Sequence, residues 1–120
     1  MVTAPRLYGP LALTAERIGG HLMVKSPGIY ALGLWDHGTF LIKQIGRSDE
    51  DLRAALQPHV GGPYREFKFS YAVSPRDAFE KECRLFHELV TLDDPTHPTA
   101  PKDTDVKCPG CGTVGRAGGD

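Results

Sequence analysis

The sequence predicts a small α/β domain: a three-stranded, mainly antiparallel sheet flanked by helices in the order β-β-α-β-α, followed by a tail with a Cys-x-x-Cys pair. Three observations predict it. "GIYALGLW" (28–35) and "TFLIKQIG" (39–46) are apolar runs separated by the turn signal Asp36-His37-Gly38. "REFKFSYAV" (65–73) alternates apolar and polar residues, the period of a half-buried strand. "SDED" (48–51) and "SPRD" (74–77) each open a stretch of helical periodicity with a capping residue.

In chain order, residues 1–25 form an N-terminal extension, rich in Gly and Pro, with one short apolar element expected over Leu11–Ile18. Residues 26–98 form the main domain. Its hairpin spans 28–46. Ser48 is expected to cap the first helix, with Asp51 reaching back, and Leu52, Leu56 and Val60 follow at helical spacing. "GGP" (61–63) breaks the chain. On the third strand Phe67, Phe69, Tyr71 and Val73 share one face. Ser74 caps the second helix, Pro75 takes its first position, and Ala78, Phe79, Cys83, Phe86 and Val90 make its apolar stripe. Residues 99–120 are a tail whose last stretch, "GTVGRAGGD", has too little apolar content to pack.

Composition excludes several classes. The 120 residues are 40% hydrophobic and 24% charged, with a formal net charge of −1, so no global basic excess marks a nucleic-acid binder; a local basic patch remains compatible with that total. No apolar run approaches the roughly 20 residues of a membrane helix. "MVTAPRLYGP" lacks the basic-then-apolar pattern of a signal peptide. Three cysteines, two of them in Cys108-Pro-Gly-Cys111, point to metal rather than a disulfide framework, and together these features predict a cytoplasmic location.

A Gly-Ile-Tyr strand, a hairpin, an x-Ile-Gly strand end, a capped helix, a strand and a helix carrying "AFEKE" follow one another over residues 26–98. This order resembles the GIY-YIG nuclease domain, and "GRSD", "EFKFSYA" and "AFEKEC" look like a bacterial subgroup of that superfamily. The resemblance implies metal-dependent hydrolysis of a DNA phosphodiester. Tyr30 matches the tyrosine that activates or orients the attacking water. Glu82 matches the carboxylate that binds a catalytic divalent ion, Mg²⁺ or Mn²⁺, whose preference is for oxygen ligands. Arg47 matches the basic residue after x-Ile-Gly, able to hold a phosphate, and His59 is placed to face the site.

The match has departures. Gln44 stands at the second motif tyrosine and cannot act as a phenol. Ala55 stands where the helix arginine is expected. Arg53 lies two residues earlier, about 200° around a helix. These departures leave two readings open: a working or impaired endonuclease, or a module that keeps the fold for binding nucleic acid or a protein. Lys43, Arg47, Arg53 and Arg65 are the candidate basic patch for DNA.

The second constellation is read from spacing alone. Cys83 and His87, four residues apart, share one helix face. Cys108 and Cys111 form a knuckle that presents two thiolates. Together they offer a Cys₃His set suited to structural Zn²⁺, with His97 a rival for the fourth position.

Overall fold

The computed structural model describes residues 6–89, 92–93, 97–101 and 108. Its elements are β1 (Tyr8–Ala12), α1 (Ala15–His21), β2 (Gly28–Asp36), β3 (Thr39–Ser48), α2 (Leu52–Leu56) continued by a 3₁₀ turn (Gln57–His59), β4 (Glu66–Tyr71) and α3 (Pro75–Glu88). The sheet is antiparallel with strand order β1-β4-β2-β3. Three strands are expected from the sequence, and the described residues form four.

The extra strand comes from the N-terminal region. Tyr8 pairs with Phe69 and Leu11 with Phe67 across β1 and β4. Thr14 then caps α1, accepting from Arg17 N at 3.2 Å, and Ile18 and Leu22 become fully buried. The apolar element expected at Leu11–Ile18 is thus a strand end, a turn and a helix start. Ile18 and Leu22 share one core with Tyr30, Leu32, Leu52, Leu56, Phe67 and Phe69.

β2 and β3 join through His37 and Gly38, both at positive φ (51° and 82°), as a tight two-residue hairpin with primed-turn handedness requires. β3 runs two residues further than its apolar pattern, to Ser48. That shifts the helix start. Ser48 Oγ accepts from Glu50 N and Asp51 N in a turn, and Asp51, not Ser48, is the N-cap of α2. The short α2 buries Leu52 and Leu56, but Val60 lies beyond the 3₁₀ turn and is exposed.

Phe67 and Phe69 are buried on β4, as alternation predicts. The strand stops at Tyr71, so Val73 is 92% exposed instead of continuing the apolar face. Ser74 caps α3 through a 3.0 Å bond from Asp77 N, with Pro75 in the first turn where its missing N–H costs nothing. α3 packs on the opposite sheet face from α2: Leu85 meets Ile29 and Ala31, while Phe79 and Cys83 meet Cys108 and Ala100. Val90, the expected end of the stripe, lies outside the described residues. Beyond α3, Asp93 N donates to Lys43 O of β3 at 2.6 Å.

Candidate functional site

β2 is central, so its side chains meet both helical layers. Tyr30 lies opposite Gly46. A Cβ at Gly46 would overlap the Tyr30 ring and hydroxyl, so the x-Ile-Gly glycine is the space into which the phenol fits. The Tyr30 hydroxyl reaches His59 Nε2 at 3.0 Å, and the tautomer decides which group donates. Burial, then the charge of Glu82, pushes the Tyr30 pKa up from 10.0, so the phenol is neutral at ordinary pH. Gln44, opposite Leu32, lies on the same strand face. Ala55 packs against this core.

The next residue of β3 faces the other side. Arg47 lies opposite Ile29, towards α3. Its Nε donates to Asp49 Oδ1 at 2.7 Å and its Nη2 to Asp49 Oδ2 at 3.4 Å. Its Nη1 donates to Glu82 Oε1 at 3.1 Å and to the backbone carbonyl of Thr99 at 2.6 Å. The guanidinium also stands 5.4 Å from the centre of the Phe79 ring, a cation–π distance. The Arg47 and Glu82 side chains are each only 11% exposed. Burial pushes the Glu82 carboxyl up to about 7, against the opposing pull of Arg47. A pair this enclosed depends on its hydrogen bonds for stability, because each ion has lost most of its water. Arg47, Asp49, Glu82, His97, Pro98 and Thr99 line one pocket.

The third group adjoins it. Cys83 follows Glu82 on α3, and ligand atoms of Cys83, His97 and Cys108 lie within 4.8 Å of one another. His87 Nε2 is 3.3 Å from Cys108 Sγ. His97 Nδ1 contacts Pro98 O at 2.8 Å. A carbonyl only accepts, so Nδ1 is the donor in that bond and Nε2 is the ring nitrogen left for another partner. Burial, then the Cys108 thiol, pushes the Cys83 thiol up strongly, so a metal would have to displace its proton. Two sulfurs and imidazole nitrogen at this spacing could hold a metal ion. Sequence spacing had set His87 and Cys111 beside Cys83 and Cys108. The structure adds His97 to the cluster and keeps His87 against Cys108, while Cys111 lies outside the described residues.

Not every sequence candidate converges. Arg53 extends over α1, its Nη2 3.4 Å from where a Gly19 Cβ would sit. Arg65 adjoins Glu66, which pairs with Gly33, whereas Arg47 sits near the Gly28 end of β2. Lys43 is on β3 between them. The four basic residues therefore do not form one patch. The site also contains a member with no side-chain signature, the Thr99 carbonyl, which sequence reasoning could not find.

Fold and site together define a small α/β domain with a buried Arg–carboxylate pocket beside a Cys/His group that could hold a metal ion. No family model, no curated protein and no solved structure matches the chain. Among the described residues no helix is long and apolar enough to cross a membrane.

Proposed function

We propose that the chain is a GIY-YIG-type domain directed at DNA phosphodiesters, with metal-dependent hydrolysis as its chemistry in an impaired form. The observation that carries this reading is the Tyr30 phenol seated on Gly46 and bonded to His59, with the Arg47–Glu82 pair on the other face of the same strands and the Glu82 charge felt by Tyr30. The two glycine-bearing motifs of the hairpin are then coupled by a steric requirement, not by chance composition.

In this reading the neutral Tyr30 phenol orients the attacking water, and takes its proton only as the phenolic proton passes to His59 Nε2, 3.0 Å away. Arg47 holds a phosphate oxygen. Glu82, with Asp49 lining the same pocket, offers the oxygen donors that suit a hard divalent ion. When bound, Mg²⁺ or Mn²⁺ polarises the phosphate and stabilises the leaving oxygen. Gln44 can hydrogen-bond but not transfer a proton as a phenol does, and Ala55 brings no charge to the developing phosphate. The Cys83–His97–Cys108 group, with His87 at its edge, is assigned to structural Zn²⁺ on its mixed sulfur and imidazole donors.

A second reading, a binding module without catalysis, is favoured by Arg47: its donors are engaged by Asp49, Glu82 and Thr99. Supercoiled plasmid with Mn²⁺ or Mg²⁺ separates the two. The expected result is slow nicking, lost in Glu82→Ala and raised in Ala55→Arg with Gln44→Tyr. A folded double variant that leaves every DNA form intact sinks the nuclease reading.

A further inference from the structure

Thr99 sits on Arg47 where a phosphate oxygen would sit in the proposed function. Its carbonyl is a single neutral acceptor at 2.6 Å from Nη1, a short contact of the kind charged donors make. The segment that delivers it is 97–101. Pro98 and Pro101 are buried, and Ala100 packs against Phe79, Cys83 and Cys108. His97, at the head of the segment, belongs both to the pocket lining and to the Cys/His group. One residue, Pro98, separates His97 from Thr99, and the His97–Pro98 hydrogen bond stiffens that link.

We infer that 97–101 is a strap latched by metal: an ion on Cys83, His97 and Cys108 clamps the segment so that the Thr99 carbonyl occupies Arg47 and keeps anions out. The inference rests on the zinc assignment above and on Arg47 as an anion-binding group. Buried Pro98 and Pro101, Ala100 against Phe79 and the His97 ring against Phe86 and His87 also hold the strap, and the ion adds to these contacts. A ligand that binds only the closed arrangement shifts the equilibrium by its whole differential affinity. Metal loss therefore lowers the closed fraction and leaves Arg47 shielded by the Asp49 and Glu82 carboxylates alone.

The test is arginine modification by phenylglyoxal on the full chain, mapped by peptide mass spectrometry, with zinc content measured on the same samples. Arg53, exposed in the structure, is the internal control. Stripping zinc with a chelator should raise the Arg47 rate about tenfold, the effect of a strap closed about nine-tenths of the time with metal and mostly open without it. Re-adding zinc should reverse it, while Arg53 reacts equally throughout. A second chain, Pro98→Gly with Thr99→Gly, keeps the metal ligands and loosens the link. It should retain zinc yet show raised Arg47 reactivity. Zinc that binds and leaves without changing Arg47, in a chain of unchanged circular dichroism, overturns the latch. If the stripped chain unfolds, the glycine chain decides: zinc retained with Arg47 still protected overturns it. A purified chain that takes up no zinc defeats the metal assignment itself, whatever Arg47 does.

Discussion

The ring of Tyr30 occupies the volume that a side chain at Gly46 would need, so the two positions are sterically one unit across the β2–β3 pair. Gly46→Ala should therefore destabilise the fold by about 1–3 kcal/mol, the usual cost of overpacking a formed core. Urea denaturation measures it. A Tyr30→Ala, Gly46→Ala chain should show less than the sum of the two single losses, because removing the ring opens the space. Additive losses would mean that the ring does not lie on Gly46.

Among the described residues Arg47 is the hydrogen-bond partner of the Glu82 carboxylate, and both are nearly enclosed. Arg47→Ala should cost about 3 kcal/mol, because it leaves a desolvated carboxylate behind and strips the face of Phe79. Arg47→Met with Glu82→Leu should recover much of that stability, since a matched apolar pair needs no hydration. Thermal midpoints of the three chains decide it. Equal losses in the single and double variants would show that packing, not pairing, sets the cost.

Metal retention should follow the cluster and not only the Cys-x-x-Cys spacing. Elemental analysis of chain purified without added metal should find about one zinc per chain. His97→Ala and Cys83→Ser should each weaken retention at least about tenfold, in line with losing a ligand or its supporting partner. His87→Ala and Cys111→Ser then report whether the fourth donor comes from α3 or from the knuckle. Full zinc occupancy in His97→Ala would remove His97 from the ligand set.

Alkaline stability should report Tyr30. Its pKa is raised in the folded chain above the ordinary 10.0, so the folded state holds the phenolic proton more tightly than the unfolded state does. That contribution is fully present below about pH 10 and is lost as pH climbs towards the raised value. The urea midpoint should fall across that window in wild type and fall less in Tyr30→Phe. Identical pH profiles for the two chains would place the titrating group elsewhere.

How much of this was legible in the sequence depended on whether the signal was local. Ser74 and Pro75 fix the start of α3 through their own side chains, and the His37–Gly38 turn and the Phe67, Phe69 alternation are equally local. β1 was not legible as a strand. "YGPLA" contains Gly and Pro, and what makes it a strand is pairing with β4 far along the chain. Ser48 looked like a cap because it precedes acidic residues, yet β3 carries the extended backbone through it and hands the role to Asp51. At the site, Tyr30, Arg47 and Glu82 entered through the resemblance and its motif order, and the cysteine–histidine pairs through their spacing. The division of Tyr30 and Arg47 between two sheet faces follows from register, and the Thr99 contact belongs to the backbone, where residue type says nothing.

The bond from Asp93 N to Lys43 O has a consequence for the molecule's relations with its own copies. β3 is an outer strand, and outer strands offer unpaired carbonyls and amides on which another chain can template. Asp93 takes one of those carbonyls and is itself held by the Tyr64 hydroxyl at 2.5 Å. The segment beyond α3 thus interrupts the row at its middle. A chain ending at Leu89 would keep every strand and helix of the described residues but present β3 with that carbonyl uncovered, and it should self-associate through this margin more readily than the full chain does.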